Sequence, residues 1–294
     1  MGLCDDVRRH CAAVAAQARH VSIDEEALGA YDVDGPSPEP AALDAERHYL
    51  EGAPQDVASY TLMLDAINFG SGWFPLLQKR PSSSGYHTVS WALADHARAH
   101  GVPSNADLRA MSADRIAEIL GQDPALELMS LYAQALRELG RFLGTRSALD
   151  LAGEASGSAE RFAGLLAGGM AMWSDTGFYK RAQIAASDLA LAGVAEFSDL
   201  DRLTIFADNL VPHVLRCDGV LHYDDALAAH IDSGALLPMD DREHEIRAAA
   251  VRACELLAER LGIAPRALDV WLWNRGQGKD YKARPRHRTR TVFY

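Results

Sequence analysis

Leu3-Cys4-Asp5-Asp6-Val7-Arg8-Arg9-His10-Cys11-Ala12-Ala13-Val14, running on to His20, decides the fold class. Leu3, Val7, Cys11, Val14 and Ala18 recur at helical spacing while Arg8, Arg9 and Arg19 fall elsewhere, the pattern of an amphipathic helix. The same periodicity returns along the chain and predicts helices over 54–67, 86–100, 112–121, 124–143, 156–172, 178–192, 200–218, 222–232, 240–261 and 265–273. Ser22-Ile23-Asp24-Glu25 has capping-box spacing and is expected to open a short second helix. Only short extended pieces remain, so the class is mostly α. Pro75 and Pro81 with Ser82 to Gly85 punctuate one connection, and Pro103-Ser104-Asn105 another. Asp32 to Pro40, with three prolines and a glycine, is the clearest break. The expected organisation is therefore N-terminal helices and a linker over 1–40, followed by a single helical domain over 41–294 that forms one compact unit with them.

Composition narrows the function. The 294 residues are 48% hydrophobic, enough for a sizeable core. No apolar run approaches the ~20 residues needed to cross a bilayer, and Asp5, Asp6 and several arginines interrupt Met1 to His20 where a secretory signal needs an apolar stretch. A soluble, cytoplasmic protein is expected, with no membrane partner. Cys4, Cys11, Cys217 and Cys254 show no C-x-x-C pairing and read as reduced packing residues. A formal charge of −12 argues against binding along a nucleic-acid backbone, which needs many phosphates neutralised. The charge is uneven, however: between residues 275 and 290 seven basic residues face only Asp280, leaving the rest of the chain strongly acidic. A local basic segment suits one small phosphate better than a polyanion. Val292-Phe293-Tyr294 gives this tail an apolar end with which to dock.

Two stretches place charge among apolar residues. Phe178-Tyr179-Lys180-Arg181-Ala182-Gln183-Ile184 puts cations at the start of an Ala-rich helix, where free backbone N–H groups favour an anion. Thr204-Ile205-Phe206-Ala207-Asp208 puts a carboxylate within Leu203 to Leu215, whose apolar positions predict a buried helix that Pro212 disturbs. Asp208 either serves local backbone groups or an arginine, or meets a substrate. Asp269 stands in Leu268-Asp269-Val270-Trp271-Leu272-Trp273, as a first-turn residue after Pro265 or as a functional carboxylate. Trp271 and Trp273 cannot share a helix face, so one packs inward. Asn68 and Gly70, after a helix with Tyr60, Leu62, Met63, Leu64 and Ile67 on its apolar positions, read as C-terminal capping.

Taken together with His287-Arg288-Thr289-Arg290-Thr291-Val292-Phe293-Tyr294, these segments resemble the queuosine salvage family over roughly residues 45 to 294, with the motifs in family order. The resemblance implies a fold like that of the helical DNA glycosylases and a queuosine 5′-phosphate N-glycosylase that releases queuine. It implies Asp208, in the Phe-Ala-Asp motif, as the catalytic carboxylate. His48, Asn68, Phe69, Lys180, Phe206, Asp269, Trp271, Arg288 and Arg290 are the implied substrate-binding residues, with Trp73 a weaker one. Lys180 and the tail arginines would hold the phosphate. Phe69, Phe206 and a tryptophan would stack on the base, and Asp269 would take the base edge or the side-arm amine. The sequence departs from the family after Asp208, at Asn209-Leu210-Val211-Pro212-His213, and at Asn274, where some relatives carry a second carboxylate.

The expected partner is a small molecule, queuosine 5′-monophosphate, with no DNA, no metal and no cofactor, and the expected state is a monomer. Eleven histidines form no H-E-x-x-H, and neither a P-loop nor G-x-S-x-G occurs. Two other functions fit the same features: a noncatalytic helical module that binds modified nucleoside or transfer RNA through its basic tail, and a general purine nucleoside hydrolase.

Overall fold

The structure is a computed structural model that describes residues 2–33 and 43–294. Most of the expected linker, residues 34–40, lies outside the described residues. In chain order the elements are α1 (Leu3–Gln17), β1 (Val21–Ile23), α2 (Glu25–Ala30), α3 (Pro54–Ala66), α4 (Gly85–His100), α5 (Asn105–Arg109), α6 (Ala113–Leu120), α7 (Glu127–Leu143), α8 (Ala148–Glu154), α9 (Ala159–Gly169), α10 (Lys180–Leu191), α11 (Val211–Cys217), β2 (Leu221–Tyr223), α12 (Asp225–Asp232), α13 (Asp241–Leu261), α14 (Pro265–Arg275) and α15 (Lys279–Ala283). The class is mostly α, as the periodicity predicts. Side-chain caps set many of the starts: Ser84, Ser112 and Ser158 each accept a backbone N–H, and Ser104 and Ser147 form full capping boxes with Asp107 and Asp150.

Three expectations are corrected. Residues 203–210 are not helical, and α11 starts only at Val211, with Pro212 in its first turn, where a missing N–H costs nothing. Pro212 therefore opens a helix and does not disturb one. The expected helix over 222–232 starts at Asp225, because Leu221–Tyr223 pairs antiparallel with Val21–Ile23 in the register Val21↔Tyr223. That pairing also moves the cap of α2 from Ser22 to Asp24, whose Oδ1 accepts the Ala27 N–H at 2.8 Å.

The chain divides into two compact units. Unit 1 comprises 1–41, 176–180 and 200–291, so residues 1–41 group with the C-terminal third. Its core forms where α1 lays Val7 and Cys11 on α13, with Ala248, Ala249, Val251 and Cys254 buried there, and where α11 and α14 add Val214, Leu215, Leu268 and Leu272. A polar knot closes one side of it. Asp218 accepts the Tyr31 and Tyr281 hydroxyls, each at 2.6 Å, and pairs with Arg275 at 3.0 Å. Every strong acceptor direction of this carboxylate is thus engaged.

Unit 2 comprises 42–175, 181–199 and 292–294. Its α3 is buried on nearly every face from Val57 to Ala66, which makes it the central helix of the unit. Tyr132, Leu136 and Leu139 of α7 are likewise fully buried. Gly140 allows the close approach of α5 to α7, since a Cβ there would meet the Leu108 Cβ at 2.7 Å and the Arg109 nitrogen at 2.9 Å. The apolar chain end docks as its composition suggests: Tyr294 is buried and its carbonyl accepts the Gly70 N–H at 2.9 Å. None of the four cysteines is joined in a disulfide.

Candidate functional site

In unit 1 the stretch from Leu203 to Arg216 is buried at every residue except Asp208. Asp208 lies in the non-helical lead-in to α11. Its Oδ1 accepts the N–H of Leu210 at 2.7 Å and, more weakly, that of Val211 at 3.4 Å. Its Oδ2 has no hydrogen bond among the described residues. One oxygen is thus anchored by backbone donors that fix the carboxylate plane, and the other is open. The local backbone contact foreseen for this residue exists, and it leaves half of the carboxylate unused.

The loop carrying Asp208 is held from two sides. Asp269, 5% exposed in the middle of α14 and so not a first-turn residue, accepts the Phe206 N–H on Oδ1 at 2.8 Å. Arg247, 3% exposed on α13, donates its Nε–H to the Ala207 carbonyl at 2.9 Å. Phe206 and Asp269 are therefore brought together, with Asp208 two residues further along the same loop. Trp271 is not part of this group: two residues on from Asp269 it faces away, and its ring meets Tyr31 edge-on at 6.2 Å and the Arg275 guanidinium at 5.2 Å.

Arg247 was not foreseen, because a Glu243 to Arg247 pair four residues apart is the ordinary signature of a solvated helix face. Here both side chains are buried, 3.7 Å apart, and the guanidinium lies 3.9 Å from the centroid of the Phe178 ring. Phe178 is clamped further by edge contacts to His10 and His244, whose Nε2 atoms are 2.7 Å apart. Arg247→Lys is expected to lower stability by about 2 kcal/mol, since the ammonium keeps the charge but loses the planar stack and the Nε bond. A urea midpoint equal to that of the wild type would reject this role.

Lys180 opens α10 and is 4% exposed, so it is a buried cation and not a surface lysine. The backbone before it is unusual. Gly177 has φ +93° with His10 packed where a Cβ would stand, and Tyr179 adopts φ +50°, a region that costs a non-glycine residue about 1–3 kcal/mol. Strain of this kind next to a buried lysine marks a segment shaped by something other than stability. In the tail, burial alternates: His287, Thr289 and Thr291 are buried, while Arg286 and Arg288 are partly exposed and Arg290 exposed. Arg288 donates to the Gly234 carbonyl at 2.6 Å, and Arg284 pairs with Asp232, which also receives both Nη atoms of Arg216 at 2.9 Å.

In unit 2, Tyr60 to Trp73 is buried at every residue except Asn68. The pattern matches that around Asp208. Phe69 beside it is 1% exposed, its ring meeting Tyr132 edge-on at 5.0 Å and lying 4.9 Å from the Arg181 guanidinium, which stacks on Trp173 at 5.0 Å as well. Arg181, also buried, donates to the Ala66 and Met172 carbonyls, and burial brings its pKa down to about 10. It supports the turn that presents Asn68, a structural task that its place beside Lys180 in the sequence does not reveal. Trp73 is buried and donates its indole N–H to Glu127 at 2.8 Å.

His48 is fixed in one form. Its Nδ1 lies 2.9 Å from the Asp44 carbonyl, which can only accept, so Nδ1 carries the proton. Nε2 then accepts the Tyr86 hydroxyl at 3.1 Å, and burial lowers the pKa of the ring. Both nitrogens are engaged within unit 2, and Tyr86 joins the group unforeseen.

Among the described residues no group of three or more His, Cys, Asp and Glu side chains can hold a metal ion, and no helix is long and apolar enough to cross a membrane. Residues 48–294 match the family described as queuosine salvage protein. A queuosine 5′-phosphate N-glycosylase/hydrolase from Sphaerobacter thermophilus is 33% identical over 322 aligned positions, covering 100% of this chain and 98% of its own length. The protein of that name from Mus musculus is 28% identical over 83% of each chain, and that from Dictyostelium discoideum 36% identical over 40% of each. With a match across most of its length and a full-length relative at this identity, the chain belongs to the queuosine salvage protein family.

Proposed function

We propose that the protein hydrolyses the N-glycosidic bond of queuosine 5′-monophosphate, releasing queuine for reuse in transfer RNA modification, and that it does so as a cytoplasmic monomer. The observation that carries the site is Asp208: the one partly exposed residue in a buried stretch, with Oδ1 held by backbone N–H groups and Oδ2 open. Cleavage of the C1′–N bond builds positive charge on the ribose, which an ionised carboxylate beside C1′ stabilises. Water adds its oxygen to C1′ and loses a proton to the open oxygen of Asp208, while the bond electrons leave with the base, which is protonated to give queuine. Queuine has carbon where purines carry N7, so the departing base is stabilised through its other edge atoms. Asp269 and Phe206 are the groups assigned to this task, a reading supported by the hydrogen bond that fixes Asp269 to Phe206, two residues before Asp208 in the sequence. By resemblance to the family, Asn68 and His48 are further substrate contacts, with Phe69 as support for Asn68. Lys180 binds the phosphate, giving affinity remote from the reacting bond.

The test is chromatography of the products after incubating chelator-treated protein with queuosine 5′-monophosphate. Queuine and ribose 5-phosphate in equal amounts are expected. A folded protein that releases neither is a binding module and ends the enzymatic reading.

A further inference from the structure

The two stretches of unit 1 proposed to meet the substrate, the loop ending in Asp208 and the turn ending in Lys180, are joined through one side chain of α13. Arg247, buried, donates its Nε–H to the Ala207 carbonyl at 2.9 Å and lays its guanidinium 3.9 Å from the centroid of the Phe178 ring. The carbonyl of Ala207 and the nitrogen of Asp208 belong to one planar peptide unit, so this bond fixes the plane from which Asp208 departs. On the far side of that plane the Leu210 N–H holds the Asp208 Oδ1. Ala207 is itself buried, so water does not replace the donor if Arg247 is removed. The stacked ring, Phe178, is also buried and stands between Gly177 at φ +93° and Tyr179 at φ +50°. A strained turn of this kind persists only where its surroundings over-determine it. Here the ring is held by the Arg247 guanidinium and by edge contacts with His10 and His244.

Stability alone does not call for an arginine in this place. Burying a guanidinium and the Glu243 carboxylate 3.7 Å from it carries a desolvation cost that well-packed apolar residues avoid, and replacing such a pair by them is often neutral or stabilising. What an apolar residue cannot do is bond a carbonyl with the edge of a flat cation while stacking on a ring with its face, joining two segments in one geometry. That geometry matters for a reaction in which phosphate held at Lys180 orients the sugar against Asp208. Affinity remote from the reacting bond speeds the reaction only if the two contacts keep a set separation. Resting on the function proposed above, we infer that Arg247 is a positioning residue of the reaction: it locks the Asp208 peptide to the turn that carries Lys180, so that binding of the phosphate becomes orientation of C1′ at the carboxylate. Its loss lowers turnover and leaves binding nearly intact.

The experiment measures kcat and KM for queuosine 5′-monophosphate in the wild type, in Glu243→Gln, in the double variant Glu243→Gln/Arg247→Met and in Phe178→Leu. Calorimetric titration of each with ribose 5-phosphate counts the competent sites. Glu243→Gln weakens the buried ion pair but keeps both contacts of Arg247, and the wild-type kcat is expected. In the double variant no carboxylate is left without its cation, and kcat is expected to fall about 100-fold, the cost of a misplacement near 1 Å. Its KM should stay within about threefold of the wild type, with the same number of ribose 5-phosphate sites per chain. Phe178→Leu, which keeps the carbonyl bond and loses the stack, should lose about tenfold in kcat. Unfolding, by contrast, lowers kcat and the number of sites together. A double variant with wild-type kcat, a fall in kcat matched by lost sites, a loss carried by KM alone, or an equal loss in Glu243→Gln would overturn the inference and leave the proposed function standing. Should the double variant not fold, Phe178→Leu decides by the same criteria. A wild type that releases no base overturns both.

Discussion

Asp208→Asn is expected to reduce base release by about 10³-fold or more while the protein remains as stable as the wild type. The two halves of this expectation come from the two oxygens of the carboxylate. The asparagine Oδ1 accepts the Leu210 and Val211 N–H groups as the aspartate does, so the lead-in to α11 keeps its anchor. What the variant loses is the charge on the other atom, which is Oδ2 in the wild type and is needed both to stabilise the ribose cation and to take the proton from water. The amide nitrogen placed there is a donor and opposes both tasks. Binding of ribose 5-phosphate, measured calorimetrically, should be kept. A variant that retains a tenth of the wild-type rate would remove Asp208 from the chemistry, and one that unfolds more readily would mean that its charge, and not only its acceptor oxygen, holds the loop.

The second large effect is on stability in mild acid. His287 is 2% exposed, and burial, reinforced by Arg247, His213, Arg286 and Arg216, depresses its pKa to about 3 from the ordinary 6.5. A histidine held neutral in the fold contributes stability that is complete above 6.5 and is lost as pH falls toward the folded value, because the unfolded chain takes up the proton first. Each pH unit in that window costs about 1.4 kcal/mol, so His287 alone removes about 3 kcal/mol between pH 6.5 and 4.5. His213 and His48 are lowered by burial in the same direction and add to the loss. The capping carboxylates Asp107 and Asp150 are shifted below 3.8, so their contribution disappears only at lower pH and does not blur the window. Urea midpoints measured at intervals across the window should fall steadily, and more gently in His287→Gln. A midpoint that stays level would mean that the ring is charged in the folded protein.

Long periodic segments were legible from the residues. The helices α3 and α13 lie within a residue of where the pattern puts them, because a strong face repeated over several turns leaves little freedom. The run from Leu203 to Leu215 was not legible, since a stretch apolar at nearly every position has no face to read and looks the same as helix or as buried loop. Strand β2 was missed for another reason: three residues carry no period, and its partner stands about 200 positions earlier. The site divides similarly. Asp208 and Asp269 stand out as carboxylates in apolar surroundings, whereas Arg247 and Tyr86 belong to residue types and spacings that are common on surfaces. Their importance comes from what folds over them.

The knot at Asp218 has a consequence for how the chain is made. Tyr31 emerges from the ribosome early, while Asp218, Arg275 and Tyr281, and the α13 surface that α1 must cover, arrive some 190 to 250 residues later. At roughly 5–20 residues per second, α1 waits on the order of 10–50 s with Val7 and Cys11 uncovered. During that interval the acidic first turn of α1, Asp5 and Asp6, and its arginines are what keep the nascent segment solvated. Rare codons placed between residues 200 and 280 lengthen the wait, and a lower yield of folded protein from such a gene is the expected result.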